Sequence, residues 1–565
     1  MIHRCNWQVV AALAILLLDT TNVWADAISP LPPGPNLVGC SNIAQDFSRV
    51  APGTTPQDYW EGNPAGGSPR YITDLLVSPV DTFTVNLSIP NDGGLYGPYV
   101  NQTYPYVFLV CYPTSAANLR PDFVLPTGDV VPRMQTGSQA PIFANAAASY
   151  PILLFSHGLT GSPISGDYIN AIRVFASWGY VVVAPFHGDL RFANVNIQNF
   201  NDVVYALIHI KEFVAMQAVR PLSLSLALDA VLASPQFIGH IDASRIGGFG
   251  ASLGGESLML LGGAQLTNTV GQASKQVTFD PRLAAAATYV PYFGQDQFPA
   301  FGRDNAGLEG VTLPTLAVSG TADTTAPVAA TEKGFAHMHS TRQLVLLTGV
   351  QHGFDPAFSD DIFTWSLTFL AGQLSGDPVA RATSAGMTSV AGGGDDNLEL
   401  DYMAPTPEMP GERIIVEFLN DSLNHYFITG EPAEAAMLDA GVVVPGWHRT
   451  GFNFKGRPAG DLRGLAACRF FGTPGIGPNS HFYTIDFAEC AKVKTDPFWT
   501  YEGLAFNTDV PVADTCAPSR VPVVRLYNNG MGGQASHRFV TSHSEVRELT
   551  QRGWIVEGNV FCAIP

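Results

Sequence analysis

The residue with the clearest potential for chemistry is Ser252. It lies in the sequence GGFGASLGGES, within a G-x-S-x-G pattern that directly follows an apolar run. Glycine inside a regular element costs about 0.5–1 kcal/mol relative to alanine, so the glycines here indicate a turn that side chains would obstruct. Where G-x-S-x-G joins a strand to a helix, the turn presents the serine hydroxyl above the end of a sheet. The pattern therefore predicts a nucleophilic serine at position 252.

A serine hydroxyl is a weak nucleophile at neutral pH and needs a base, which in turn needs an acid to orient it. Two candidates follow Ser252, each just beyond an apolar run: Asp323 in LAVSGTADTTAP and His352 in QLVLLTGVQHGFD. His337 and His339 are alternative bases, but EKGFAHMHS has the pattern of a helix end. We therefore expect a triad in the chain order serine, acid, histidine.

Backbone amides are expected to stabilise the negative charge that develops on a carbonyl oxygen during acyl transfer. One is the amide of Leu253, the residue after the predicted nucleophile. The other is predicted in the segment SHGLTG, as the amide of Leu159. His157 of that segment and His187 of APFHGD precede the serine. We interpret both histidines as structural residues, and lining of the substrate pocket is the alternative for His187.

The sequence around these residues alternates apolar strand patterns with helical patterns. PILLFSHG, VVVAPFHG and SRIGGFGAS have the composition of buried strands, whereas SGDYINAIRVFASWGY and residues 222–233 have that of helices. This alternation over residues 150–375 predicts an α/β fold, with a mostly parallel sheet and helices on both faces. Since the predicted site residues all follow strands, we expect them at one edge of the sheet.

These segments resemble the α/β-hydrolase superfamily. The similarity is carried by FSHGLTGSPISGDYINAIRVFASWGYVVVAPFHGD, GFGASLGGES, SGTADTTAPV and QHGF, over roughly residues 71–374. Within the superfamily, the sequence is most similar to platelet-activating-factor acetylhydrolases and dienelactone-hydrolase-like esterases, although true dienelactone hydrolases use a cysteine nucleophile. The resemblance implies hydrolysis of carboxylic esters without a metal or a cofactor. Insertions at residues 190–220 and 292–311 are expected to shape the substrate pocket.

The N-terminus predicts export. Residues 1–25 combine Arg4 with an apolar run and a small-residue cleavage site that ends at Ala25, which is the organisation of a secretory signal peptide. A membrane anchor is the alternative, but a bilayer span needs about 20 apolar residues. We expect cleavage after Ala25 and a secreted protein, extracellular or periplasmic, without a membrane span.

Composition limits the partners of the chain. The formal net charge is −19 and the sequence has no basic tract, which argues against nucleic acid because phosphates favour basic surfaces. Six cysteines follow the predicted signal peptide, without a C-x-x-C pair. In an exported protein this pattern favours disulfides over a metal site. We expect no metal ion and no cofactor.

Residues 26–374 are predicted to form the catalytic domain. Residues 375–412 are rich in Gly, Pro, Ser and Asp and lack helical or strand periodicity, which is typical of a linker. Residues 413–565 then carry a W-x3-G-x2-F pattern three times, each preceded by a Phe-x-Thr pair and a short strand pattern, EFLN, RFFG or RLYN. Three copies indicate three β-rich repeats that share one core, with the recurrent Trp and Phe as core anchors. The residues of the pattern are Trp447, Gly451 and Phe454, then Trp499, Gly503 and Phe506, then Trp554, Gly558 and Phe561.

This C-terminal segment resembles a repeat family without an established activity that occurs at the C-terminus of secreted bacterial hydrolases. HFYT, YEGLAF and CAPSRVPVVRLYNNG carry the similarity. Binding to a polymer or a cell surface is the role expected of the domain. The sequence leaves the disulfide connectivity open. The pairs that we expect are Cys40–Cys111, Cys468–Cys490 and Cys516–Cys562, with Cys468–Cys516 as an alternative.

Two functions of different classes fit these patterns. The first is a secreted serine esterase or lipase that acts on a small ester, a lipid or a polyester. The second is a surface-binding or attachment protein that uses a hydrolase scaffold without catalysis. The complete order of serine, acid and histidine favours the first, and a serine peptidase is a weaker third reading because the same triad cleaves amides.

Overall fold

The computed structural model of the protein describes residues 27–31, 33–41, 43–63, 70–125, 128–136, 140–193, 208–295, 298–442, 444–531 and 535–565. The predicted signal peptide, residues 1–25, lies outside the described residues. The chain forms two compact units. The first comprises Ser29–Ser375 and Val390–Leu400, and the second includes Gly376–Ser389 and Asp401–Pro565.

One large sheet organises the first unit. The strands up to its last member in the chain are β1 (Leu37–Cys40), β2 (Thr84–Ser88), β3 (Thr103–Thr114), β4 (Asp122–Val124), β5 (Val130–Thr136), β6 (Tyr150–Ser156), β7 (Val181–Pro185), β8 (Ile241–Ala251), β9 (Gln265–Thr267), β10 (Ser274–Gln276), β11 (Leu283–Tyr289), β12 (Gly294–Gln295), β13 (Phe298–Pro299), β14 (Thr315–Gly320), β15 (Arg342–Leu347) and β16 (Asp396–Tyr402). The order in the sheet is β16-β15-β14-β11-β8-β6-β7-β3-β1-β5-β4, and β2 pairs with β3.

Six neighbouring strands of this sheet run parallel. β7 pairs with β6, β6 with β8, β8 with β11, β11 with β14, and β14 with β15, each in parallel orientation. β3 then pairs antiparallel with both β7 and β1. Because parallel strands bring their carboxyl ends to one edge of a sheet, the loops after β6, β7, β8, β14 and β15 meet there.

The first unit has seven α-helices before Ser375 among the described residues, and the last five of them contact strands of the large sheet. The seven helices are α1 (Pro56–Glu61), α2 (Gly93–Tyr96), α3 (Gly166–Ser177), α4 (Ile210–Ala233), α5 (Leu253–Leu261), α6 (Val328–His337) and α7 (Ser359–Leu374). Consecutive residues of a strand face opposite sides of a sheet. A Cβ atom on Gly247 of β8 would lie 2.8 Å from Leu374 of α7, and one on Gly248 would lie 2.7 Å from Leu258 of α5. The first unit is therefore α/β, with a mostly parallel sheet between helices.

Helix α4 differs from the prediction, which placed a helix only around residues 222–233. It begins at Ile210 and is 24 residues long. In the described part of the chain, only α4 has the length and apolar composition of a membrane span, and 72% of that apolar window is buried within the protein. Such burial is typical of a core helix, whose apolar residues lie on every side and give no amphipathic pattern.

The prediction of a linker without regular structure at residues 375–412 is wrong. This segment contains helix α8 (Pro378–Gly386) and strand β16, which extends the large sheet next to β15. Asp396 of β16 accepts a hydrogen bond of 2.6 Å from Nε1 of the buried Trp365. The polar composition that suggested a linker is that of an edge strand, which side-chain and main-chain hydrogen bonds attach to the unit.

The second unit consists mainly of three repeats, each with the order strand, strand, helix, strand. Its strands after β16 are β17 (Arg413–Asn420), β18 (His425–Thr429), β19 (Trp447–Pro458), β20 (Leu465–Gly472), β21 (His481–Thr484), β22 (Trp499–Thr508), β23 (Val521–Tyr527), β24 (His537–Val540) and β25 (Ile555–Ala563). The helices of the repeats are α9 (Pro432–Ala440), α10 (Phe487–Val493) and α11 (His543–Gln551). Within each repeat the first strand pairs antiparallel with the other two.

The phenylalanines of the repeated pattern meet in the core of this unit. The rings of Phe454 and Phe506 lie 5.7 Å apart, those of Phe506 and Phe561 lie 5.4 Å apart, and those of Phe454 and Phe561 lie 6.1 Å apart. All three side chains are buried. The prediction of three repeats with shared core anchors is thus confirmed for the phenylalanines, whereas Trp447 and Trp499 are only half-buried.

The glycine of each repeated pattern lies where the last strand of the repeat changes its pairing register. Gly451, Gly503 and Gly558 have φ angles of 92°, 122° and 113°. A side chain is strained at such angles, and glycine is the residue that adopts them in a bulge. The glycines are therefore required by backbone conformation, and the bulges place the following Phe in the core.

The Phe-x-Thr pairs, by contrast, are not equivalent in the structure. In the first two repeats, the first residue of the EFLN or RFFG pattern pairs with the residue that follows the phenylalanine of the Phe-x-Thr pair. In the third repeat, the first residue of RLYN pairs with the phenylalanine itself, Phe539. The strand partners are Glu417 with Ile428, Arg469 with Tyr483, and Arg525 with Phe539. Strand register is set by turns and burial, so equal spacing in sequence did not predict it.

The three expected disulfides are confirmed. Cys40 is bonded to Cys111, Cys468 to Cys490, and Cys516 to Cys562. Disulfides persist in oxidising compartments outside the cytosol. The protein is therefore suited to an extracellular-type environment.

We predict that β16 is needed for the stability of the first unit. A fragment of the chain that ends at Ser375 should be less stable towards urea than one that ends at Leu400, by about 2 kcal/mol or more, because it loses an edge strand and leaves Trp365 Nε1 without its acceptor. Asp396→Asn in the longer fragment keeps an acceptor and should retain its stability. Equal unfolding midpoints for the two fragments would contradict the placement of β16.

Candidate active site

Ser252 lies at a sharp turn between β8, which ends at Ala251, and α5, which begins at Leu253. Its backbone has φ 54° and ψ −121°. Positive φ is unfavourable for a residue with a side chain and is retained where the surrounding structure imposes it. The predicted turn from strand to helix is present, with its serine 9% exposed.

The glycines around Ser252 lie where any side chain would collide with neighbouring residues. A Cβ atom on Gly250 would lie 2.4 Å from the carbonyl carbon of Gly254, and one on Gly254 would lie 1.9 Å from the carbonyl oxygen of Ser156. A Cβ atom on Gly255 would lie 2.8 Å from Pro291. Any side chain at these positions would force β8 and α5 apart and move Ser252.

His352, in the loop after β15, lies between Ser252 and Asp323. Its Nε2 is 2.9 Å from the Oγ of Ser252, and its Nδ1 is 2.7 Å from Oδ2 of Asp323. The other oxygen of Asp323 accepts hydrogen bonds of 2.8 Å from the amides of Thr325 and Ala326. With Nδ1–H donating to the carboxylate, Nε2 is left to accept the serine proton. The structure thus brings the three predicted residues together.

The alternative histidines do not occupy this position. Helix α6 ends at His337, as the sequence predicts, and Nδ1 of His337 lies 3.4 Å from Oε1 of Glu309. His339 follows two residues later, before β15 begins. Both therefore precede β15, whereas His352 follows it at the edge that carries Ser252.

The loop that carries Leu159 lies beside Ser252. A Cβ atom on Gly158 would be 3.4 Å from Cβ of Ser252, and the amide of Gly158 donates a 3.0 Å hydrogen bond to the hydroxyl of Tyr168. Among the described residues, the amides of Leu159 and Leu253 donate no hydrogen bond to another group of the protein. Both predicted amides therefore belong to backbone next to the serine and keep their donors.

A buried ion pair fixes this loop. The side chains of Arg220 on α4 and Asp189 are each 1% exposed, and Nη1 of Arg220 lies 2.7 Å from both carboxylate oxygens. Arg220 also donates to the carbonyl oxygen of His157 and, over 3.0 Å, to Oγ of Ser257. Asp189 accepts a 2.9 Å hydrogen bond from the amide of Thr160. The pair thus binds the loop on either side of the predicted oxyanion amide.

Two neutral histidines, His157 and His187, also form hydrogen bonds that hold this loop. Nδ1 of His157 donates to the carbonyl oxygen of Gly158 over 2.8 Å, and its Nε2 accepts from the amide of His187 over 3.2 Å. Burial, and then the charge of Arg220, lowers the pKa of His157 to about 4. The same causes, in the same order, lower the pKa of His187. Both rings are fully buried beside this loop and the Arg220–Asp189 pair, as expected of structural residues.

Glu256 on α5 is a buried acid that the sequence analysis missed. It is fully buried, and its Oε1 accepts a 2.7 Å hydrogen bond from Nε2 of Gln217. No described residue bonds to its Oε2. Burial raises the pKa of Glu256 to about 8, so the carboxyl is protonated at neutral pH. Because every residue of α5 is buried, helical periodicity gave no sign of it.

The arrangement has the parts of a covalent acyl-transfer site: a serine hydroxyl, an imidazole that accepts its proton, a carboxylate that orients the imidazole, and free amides nearby. The part of the chain that the structure describes contains no group of three or more His, Cys, Asp and Glu side chains arranged to hold a metal ion.

Comparison with known families assigns only the C-terminal part of the chain. Residues 409–564 match the family described as a domain of unknown function, DUF5648. The prediction that this segment resembles a repeat family without an established activity is thereby confirmed. No curated protein matches the chain. The match begins at residue 409 and leaves the residues around Ser252 outside it.

We predict that Glu256 makes the folded protein less stable as pH rises. Its pKa is raised by folding from 4.5 to about 8, so between these values the unfolded chain releases a proton that the folded chain retains. Its contribution is fully present below pH 4.5 and declines by up to about 1.4 kcal/mol per pH unit above it. Glu256→Gln, which keeps an oxygen for Gln217, should remove this decline.

Urea unfolding at pH 5, 6.5 and 8 measures the effect. The difference in stability between Glu256→Gln and the wild type should increase in favour of the variant as pH rises. Glu548→Gln, which changes a largely exposed acid of α11, is the matched control and should show no such trend. A pH-independent difference for Glu256→Gln would show that the acid is ionised in the folded protein.

Proposed function

We propose that the protein is a secreted serine hydrolase that cleaves carboxylic esters, with Ser252, His352 and Asp323 as its catalytic triad on an α/β-hydrolase fold. The observation that carries the proposal is the continuous hydrogen-bonded chain from the Ser252 hydroxyl through His352 to the buried carboxylate of Asp323. The position of Ser252 on a left-handed turn at the carboxyl edge of a parallel sheet supports it.

In this reaction, Oγ of Ser252 attacks the carbonyl carbon of the ester as its proton passes to Nε2 of His352. Asp323 stabilises the imidazolium that forms and keeps Nε2 directed at the serine. The amides of Leu159 and Leu253 receive the negative charge of the tetrahedral intermediate. His352 then returns the proton to the departing alcohol, which leaves an acyl-enzyme on Ser252.

Water then hydrolyses the acyl-enzyme, with water as the attacking group and Oγ of Ser252 as the leaving group. His352 takes a proton from water as it attacks the acyl carbon, and gives it to Oγ of Ser252 as the carboxylic acid departs. The buried ion pair behind the site assists these reaction steps. Because Arg220 and Asp189 bind the backbone on both sides of Leu159, its amide is in place before charge develops, and no reorganisation is required at the moment of reaction.

The second reading, an attachment protein on a catalytically inactive hydrolase scaffold, has less support. Such a scaffold has no need for a strained backbone at Ser252 or for three side chains at hydrogen-bonding distance. Strain of this kind costs about 1–3 kcal/mol and persists at functional sites. The peptidase reading gains no specific observation from the described residues.

Ser252→Ala tests the proposal directly. On p-nitrophenyl esters from acetate to palmitate, the variant should lose activity by about 10⁶-fold, because the nucleophile of the covalent step is gone. A serine-reactive organophosphate should modify Ser252 of the wild type, as peptide mass spectrometry would show, and leave Ser244, an exposed serine near the start of β8, unmodified. An inactive wild type, or a variant that retains several percent of its activity, would refute the proposal.

His352→Ala distinguishes the proposed base from its rivals. Activity should fall as far as in Ser252→Ala, since among the described residues His352 is the imidazole that is hydrogen-bonded to the serine hydroxyl. His337→Ala removes a ring that faces Glu309 and should keep activity within about twofold of the wild type. A larger loss in His337→Ala than in His352→Ala would move the base to the end of α6.

A further inference from the structure

A pocket separate from the triad opens beside α3 and α7 in the first unit. Its volume is about 300 Å³, and none of Ser252, His352 and Asp323 lines it. The lining combines two arginines with aromatic, polar and acidic side chains: Arg133, Arg173, Asn170, Trp178, Asp360 and Phe363. One wall is the chain before β1, which Asn36 fastens to α3 by donating from Nδ2 to the carbonyl oxygen of Ser177 over 3.0 Å.

Arg173 brings to this pocket a positive charge that no described acidic side chain pairs with directly. Among the described residues, it forms no ion pair and no hydrogen bond, and its Nε is buried. Burial and, secondly, the nearby charge of Arg133 lower the pKa of the guanidinium. A partly buried cation without a bonded partner is unfavourable. A bound anion would supply the hydrogen-bond acceptors that Arg173 lacks.

Arg133 is held in an unusual conformation beside it. Its φ is 60° within strand β5, and its Nη2 donates hydrogen bonds to the carbonyl oxygens of Gly34 and Asn36 over 2.9 and 3.1 Å. Residues retained in this region of backbone space concentrate at functional sites. The two hydrogen bonds fix the guanidinium, while the donors of its other nitrogens remain for a ligand.

The charged and aromatic side chains that line the pocket indicate the chemical class of its ligand. Arg133 and Arg173 contribute two positive charges and Asp360 one negative charge, which leaves one positive charge and favours a monoanion over a dianion. Trp178 and Phe363 offer aromatic surface to an apolar body. We propose that this pocket binds a small organic monocarboxylate, whose carboxylate lies against Arg133 and Arg173 and whose apolar chain packs against Trp178 and Phe363.

Isothermal titration of the full-length protein with hexanoate tests the proposal. The wild type and Ser252→Ala should bind hexanoate with the same affinity at this site, since the site is independent of the proposed triad. Arg173→Gln should weaken binding at least tenfold, because guanidinium–carboxylate bonds carry much of the affinity. Arg245→Gln, which removes an arginine paired with Asp242 in the same unit, is matched in charge and should bind as the wild type does.

Two further ligands test the chemical class. Hexanol, which lacks the charge, and inorganic phosphate, which lacks the apolar body, should each bind at least tenfold more weakly than hexanoate. Equal binding of hexanol, tighter binding of phosphate, or unchanged binding by Arg173→Gln would each overturn the proposal.

A measurement without substitution covers the case in which Arg173→Gln does not fold. Phenylglyoxal modifies accessible arginines, and hexanoate should slow the modification of Arg133 and Arg173 at least threefold, as peptide mass spectrometry would show. Modification of Arg552, an exposed arginine directly after α11, should be unaffected. Absence of protection at both pocket arginines would refute the site.

Discussion

The close approach of strand β8 to helix α5 is the constraint on which the candidate site depends. Because Gly254 packs against the main chain of Ser156, the helix begins immediately beyond the strand, and Ser252 must reverse the chain within one residue. Its left-handed backbone follows from that geometry. A conformation of this kind costs about 1–3 kcal/mol, and the burial of α5 against the sheet offsets it. The hydroxyl is thereby placed where the loop after β15 delivers His352.

The support behind the serine is electrostatic as well as steric. A buried ion pair such as Arg220 with Asp189 gives little net stability, yet removal of one partner costs about 3–5 kcal/mol. Since this pair also binds the carbonyl oxygen of His157 and the amide of Thr160, the loop between them moves only if the pair breaks. The protein therefore retains a rigid loop beside Ser252 even though the loop itself contains glycine.

The sequence predicted the parts of the site that follow local rules. Ser252, Asp323 and His352 each follow an apolar run, and parallel strands bring such positions to one edge. Arg220 and Asp189 obey no local rule, because they meet only through tertiary packing. Arg220 lies on the mostly buried helix α4, and Asp189 lies in a turn. The edge strand β16 was missed for a related reason: its burial alternates weakly, and its attachment depends on distant partners of Asp396.

In the second unit, the repeated pattern predicted the shared core but not the contacts between repeats. Arg469 pairs with Glu434 of the preceding repeat, and Arg525 pairs with Glu489 in the same way. At the equivalent position of the first repeat the charge is reversed, and Glu417 pairs with Arg538 of the third repeat. The reversal preserves attraction where the last repeat meets the first. The three repeats are thus alike in their cores, whereas the charged contact between the third repeat and the first is the reverse of the other two.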